Sequence, residues 1–272
     1  MDKQQQPQEE PLTEEEFLEL VLAEQEKALE EERQRRLNGQ PKKRQQRPII
    51  RFAVYIMAFA LLFNTFAIIF QIYSIPAIEF IKVSTKLSQQ EDIQQYKKAI
   101  VEVSSENSKG TGFAISADGY ILTNAHVIDD ALALTAVFPD NGLYKAHVIA
   151  SNPEVDLAIL KVETEEELPY LPLANTFQPS KQHVYVIGNP LYFTGIANEG
   201  TVLEPLQLDD WQEPVMMLQA PIYKGNSGSP VLTEDGQVIG VVFATTKHEE
   251  HGRIGLFVPL ELVQRELQLM GL

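Results

Sequence analysis

The chain contains no cysteine. That absence excludes a disulfide framework, a thiolate metal site and a cysteine nucleophile, so neither disulfide bridging nor thiol chemistry can carry its function. Basic residues are also scarce. Lys and Arg number 22 against 38 Asp and Glu, a formal net charge of −16 at pH 7. A nucleic-acid binder needs a cationic surface to replace phosphate counterions, so that class is excluded. The charge is unevenly placed. Residues 1–32 hold twelve acidic side chains and two lysines, whereas residues 33–51 hold eight Lys or Arg and no acid.

Residues 52–72 lack charge altogether over twenty-one positions, with Asn64 and Gln71 as the only strongly polar interruptions. At about 1.5 Å per residue in a helix, this run matches a hydrocarbon core of roughly 30 Å. A cleaved signal peptide has a shorter apolar region behind a shorter leader, so a retained transmembrane helix is expected. Lys42, Lys43, Arg44, Arg47 and Arg51 precede it directly. A basic flank stays on the cytoplasmic side, which predicts a cytoplasmic N-terminus and an extracytoplasmic C-terminal domain at the cell membrane.

The expected organisation follows. Residues 1–51 form a polar cytoplasmic segment, and within it residues 12–32 place Phe17, Leu18, Val21 and Leu22 on one helical face. That stretch is either a solvated helix or a docking helix for a homo-oligomer or a cytoplasmic partner. Residues 73–97 form a juxtamembrane linker whose tail, 88–98, suits a short polar helix. Residues 98–272 form one globular domain. In it, short β-rich runs at 99–103, 112–115, 120–123, 132–138, 144–150, 157–162, 184–187, 215–219, 238–244 and 255–258 are separated by turn residues. Many short strands imply an all-β sandwich or barrels. Residues 259–270 carry Leu260, Val263 and Leu267 at helical spacing behind a proline and close the domain with a helix.

Ser227 stands in Lys224-Gly225-Asn226-Ser227-Gly228-Ser229-Pro230. Flanking glycines permit a tight turn that exposes a hydroxyl and lets the N–H groups of Gly225 and Ser227 converge on a developing oxyanion. A serine nucleophile needs a neutral imidazole as its base. Of five histidines, His126 follows a strand end. His147 lies within an alternating strand, His183 begins one, and His248 and His251 occupy a polar hairpin tip that lacks a third metal ligand. No metal and no cofactor are expected. A carboxylate must hold the imidazole, and Asp156 opens an apolar strand, where its burial is tolerable only if it is paired.

Together these residues identify a family resemblance. Gly110-Thr111-Gly112-Phe113, the run from Asp118 to Val127 (DGYILTNAHV), Asp156-Leu157-Ala158-Ile159-Leu160, Ile187-Gly188-Asn189-Pro190 and Gly225-Asn226-Ser227-Gly228-Ser229-Pro230 occur in the order seen in the HtrA/Deg family. The resemblance covers about residues 98–268. It implies a trypsin-like double β-barrel, with His126 and Asp156 on the first barrel and Ser227 on the second, acting on peptide bonds of unfolded or exported proteins. The expected function is a membrane-anchored serine endopeptidase in protein quality control. The alternative is a protease-fold receptor or scaffold that does not cut.

Three departures from the family pattern stand out. Lys224 replaces the usual Pro and Ser229 the usual Gly, and no PDZ domain is expected after the protease domain. Asn226 is neutral where trypsin-like zymogens carry Asp, so activation by a new N-terminal ammonium is not expected. Pro221, Ile222, Ala244 and Thr245 are the expected walls of the pocket for the residue before the scissile bond. With no acid among them, small or medium aliphatic side chains are the expected fit.

Overall fold

In the computed structural model, the described residues are 14–38, 48–106, 108–129, 131–177, 181–190, 193–269 and 271, and the side chains of 14–16, 49 and 66–79 are not described. The chain divides into two units, residues 1–68 and 69–272. In the first, α1 (Glu14–Asn38) is exposed over residues 17–38 and runs past the expected end at 32, with Arg36 paired to Glu32 at 2.8 Å.

Helix α2 (Pro48–Leu87) covers 40 residues and runs through most of the expected linker. Phe52, Tyr55, Phe59, Leu62 and Phe63 are all exposed on it. Among the described residues no helix is long and apolar enough to cross a membrane. The side chains of residues 66–72, the last third of the expected span, lie outside the described residues. The short polar helix expected at 88–98 is α3 (Glu91–Lys98).

Beyond α3, short strands with apolar alternation build two closed six-stranded barrels. The first contains β1 (Ile100–Ser104), β2 (Lys109–Ala114), β3 (Tyr120–Thr123), β4 (Leu134–Phe138), β5 (Gly142–Asn152) and β6 (Leu157–Val162). The second contains β7 (His183–Gly188), β8 (Ile196–Leu206), β9 (Val215–Gln219), β10 (Pro230–Leu232), β11 (Val238–His248) and β12 (Gly252–Pro259). Closure leaves no edge strand to template aggregation. Val101, Val103, Ile121, Phe138 and Leu160 fill the first barrel, and Val184, Val186, Val231, Ile239 and Phe257 the second. The closing helix is α4 (Leu260–Leu269), which buries Leu260, Leu262, Val263 and Leu267.

A separate apolar cluster joins the barrels. Ile100, Phe113, Leu122 and Ile159 from the first meet Leu232, Val241 and Val258 from the second, together with Leu262 and Val263 of α4. Each such side chain contributes about 1.5–3 kcal/mol when fully buried, against about 1 kcal/mol for a typical hydrogen bond. Apolar packing therefore holds the barrels together, and the few polar links between them set their register. The end of α2 belongs to this assembly. Phe80 is 4% exposed and meets the Tyr223 ring edge-on at 4.7 Å between centroids, and Ser84 Oγ accepts the N–H of Ala197 at 3.1 Å.

Candidate active site

Strands β3 and β6 run antiparallel with Thr123 opposite Ala158, so the residues that follow β3 lie beside those that precede β6. His126 sits in a single 3-10 turn, Ala125–Val127, just after β3. Asp156 ends a turn in which its N–H meets the Pro153 carbonyl at 3.3 Å. It is the single non-glycine among the described residues with positive φ, at 48°. Asp tolerates that left-handed region better than most residues. The buried Asn124 holds it there, its Nδ2 donating to the Asp156 carbonyl at 2.8 Å.

Strain of this kind is kept where geometry matters. The Asp156 carboxylate faces His126 with both oxygens: Oδ1 accepts the His126 main-chain N–H at 3.0 Å, and Oδ2 lies 2.7 Å from Nδ1. A carboxylate only accepts, so Nδ1 carries the hydrogen and the Nε2 lone pair is left for a proton from outside. The same bond raises the imidazole pKa above its ordinary 6.5, against the opposing effect of burial. The structure brings the two expected residues into contact, through a turn geometry that sequence did not reveal.

Ser227 precedes β10. Tyr223 accepts the Asn226 N–H at 3.0 Å and Gly225 has φ +99°, so residues 223–226 form a turn with positive φ at its third position, the type II arrangement. Such a turn favours Pro at its second position but does not require it, and Lys224 takes that place. The N–H groups of Asn226, Gly228 and Ser229 all bond to main-chain carbonyls. Those of Gly225 and Ser227 make no hydrogen bond among the described residues. Gly228 has φ +83°, and a Cβ there would lie 1.9 Å from the Thr111 carbonyl oxygen. Ser229 is fully buried and its hydroxyl has no partner among the described residues. The room it occupies exists because residue 188 is glycine: a Cβ there would meet Ser229 Oγ at 2.0 Å.

Thr111 of β2 ties the loop to the first barrel. Its N–H donates to the Ser227 carbonyl at 2.9 Å and its hydroxyl to the Gly225 carbonyl at 2.7 Å. The hydroxyl oxygen also accepts the Asn189 N–H at 2.8 Å. Asn189 is itself anchored by Nδ2 to the Val101 carbonyl at 2.9 Å. His126, Ser227, Gly225, Asn189 and Lys224 line one cleft of 760 Å³. No hydrogen bond joins the Ser227 hydroxyl to His126 among the described residues.

A second, smaller cavity of 180 Å³ opens beside Ser227. Ile222, Ala244 and Thr245 line it, together with Val242 and Phe243. Pro221 is exposed and is not among its walls, since the chain turns it outward one residue before the buried Ile222. Lys224 and Arg253 reach the cavity instead. Arg253 escaped the sequence reading because it lies across a hairpin, where β12 brings it opposite Lys247 of β11.

The remaining histidines stand apart. His147 is exposed on β5, His183 lies 3.1 Å from Glu234, and His248 and His251 stack at 5.0 Å on the β11–β12 hairpin. Among the described residues no group of three His, Cys, Asp or Glu side chains is placed to hold a metal ion.

Two closed six-stranded barrels with a closing helix fit a trypsin-like fold, with the His–Asp pair on one barrel and the serine turn on the other. Residues 110–241 match the family described as the trypsin-like peptidase domain, and the sequence is similar to HtrA/Deg-like serine proteases. The chain is 37% identical over 148 residues to a probable periplasmic serine endoprotease DegP-like of Chlamydia pneumoniae, covering 51% of this chain and 29% of that protein. It is 36% identical over 141 residues to the mitochondrial serine protease HTRA2 of Bos taurus, covering 49% and 31%. The matched region thus spans less than a third of these relatives' length. Among solved structures, Rv3671c of M. tuberculosis H37Rv in its inactive form is similar at TM-score 0.59 and 27% identity, over 68% of this chain and 92% of that one. The serine endoprotease of Yersinia pestis is similar at TM-score 0.58 and 25% identity, over 66% and 67%.

Proposed function

We propose that the chain is a membrane-anchored serine endopeptidase that hydrolyses exported or unfolded polypeptides through His126, Asp156 and Ser227. The observation that carries this reading is the 2.7 Å contact between His126 Nδ1 and Asp156 Oδ2 in the cleft that also holds Ser227. Nε2 takes the Ser227 proton as Oγ attacks the scissile carbonyl carbon. The N–H groups of Gly225 and Ser227 receive the oxyanion. The imidazolium, stabilised by Asp156, then protonates the leaving amine, and water repeats the sequence on the acyl-enzyme. The charge-free run 52–72 behind the basic block supports anchoring, with the N-terminus cytoplasmic and the peptidase domain outside.

A fluorophosphonate probe applied to membranes from expressing cells tests the reading. It should label the wild-type chain in the membrane fraction and leave Ser227→Ala unlabelled. Failure of the folded wild type to react would overturn the enzyme, and labelled protein found only in the soluble fraction would overturn the anchor.

A further inference from the structure

The small cavity beside Ser227 has walls of one character and an end of another. Ile222, Val242, Phe243 and Ala244 are apolar, whereas Lys224 and Arg253 bring two cations and none of its lining residues is acidic. In a chain of net charge −16 this is unusual. Among the described residues no carboxylate lies within 4 Å of Arg253 or Lys224, and both side chains are exposed at the cavity. Among the described residues the one hydrogen bond of Arg253 is a long one, from Nη2 to Thr245 Oγ1 at 3.5 Å. A guanidinium so placed has donors to spare, in a fork that matches a carboxylate.

We propose that the cavity takes an acidic side chain, so that the chain cleaves after Glu or Asp with Arg253 as the specificity-determining residue. The proposal rests on the endopeptidase reading above. The apolar walls cover the methylenes of the side chain, and its carboxylate, ionised at neutral pH, supplies the counter-charge that Arg253 lacks among the described residues. A neutral aliphatic side chain satisfies the walls but leaves Arg253 without a counter-charge. A Lys or Arg brings a like charge to a cavity that already holds two, which costs affinity.

Fluorogenic peptides that differ only at the residue before the cleaved bond, Glu, Gln, Ala, Val or Lys, test this on the full-length chain, with the active-site concentration fixed by fluorophosphonate labelling. Glu should exceed its isostere Gln in kcat/KM by roughly 10- to 100-fold, the range that hydrogen bonds to a charged group supply. Arg253→Gln should bring the Glu/Gln ratio near one, and Arg253→Lys should keep part of it. Raised salt should shrink it, because the pair lies in a solvent-reached cavity. An enzyme that reacts with the probe and hydrolyses Ala or Val peptides as well as Glu peptides overturns the proposal and leaves the endopeptidase standing. A chain that neither reacts with the probe nor cuts any peptide overturns both.

Discussion

The Thr111 hydroxyl, on the first barrel, donates to the Gly225 carbonyl on the second at 2.7 Å. The carbonyl it holds belongs to the turn whose N–H groups are assigned to the oxyanion, so one side chain couples inter-barrel register to the geometry of that turn. Thr111→Val keeps shape and removes the donor and the acceptor for Asn189 N–H. It should lower kcat by about 10- to 100-fold, since small misplacements of a reacting site carry penalties of that order. The stability cost should be about 1–3 kcal/mol for the orphaned groups. Steady-state kinetics beside thermal unfolding check it, and unchanged kcat would detach Thr111 from the turn.

The site was legible to different depths. Strands β3, β6 and β9 stand where alternation and turn residues place them, and the His126–Asp156 pair follows from an acid opening an apolar strand. Strand β8 was not legible, because Glu199, Gly200 and Pro205 interrupt its pattern and it is held by pairing on both sides, with a register shift between Val202 and Pro205. Residues 73–97 are expected as a linker with a short helix only at its tail, yet α2 continues to Leu87, where Phe80 and Leu87 find buried places. Arg253 and Thr111 act across the chain, through pairings that local sequence does not display.

The raised His126 pKa makes a prediction for pH. Activity needs a neutral imidazole, so kcat/KM should rise with pH through an apparent pKa above the ordinary 6.5. Stability runs the other way. Folding gives protonated His126 its carboxylate, so this contribution is fully present below the unfolded pKa and is lost as pH rises through the folded one. Asp156→Asn should move the activity limb to lower pH while reducing the plateau by roughly 10⁴-fold. Paired pH–rate profiles decide, and an unmoved limb would break the link between the two residues.

Ser229 offers a test of stability alone. Its main chain is fully used, with N–H bonded to the Asn226 carbonyl at 2.9 Å and carbonyl to the Val242 N–H at 2.9 Å, while its buried hydroxyl has no partner among the described residues. Ser229→Ala removes only the orphaned group. It should stabilise the fold by about 1 kcal/mol, or about 2–4 °C in Tm, with activity retained. A lower Tm would show that the hydroxyl is satisfied.

The last prediction concerns Phe80. Its ring lies edge-on to Tyr223, the residue whose carbonyl closes the Asn226 turn, so the end of α2 buttresses the segment that presents Ser227. Phe80→Ala should cost about 3 kcal/mol, in the range for a large core side chain. Loss of the buttress also frees Tyr223, so the folded variant should lose kcat as well. Phe138→Ala is the control, since Phe138 is also buried, 1% exposed, in the first barrel's interior and has no place in the turn. Assayed well below both melting temperatures with active-site titration, Phe138→Ala should keep its turnover per folded molecule and Phe80→Ala should not. Equal turnover in the two would reduce the α2 contact to packing alone.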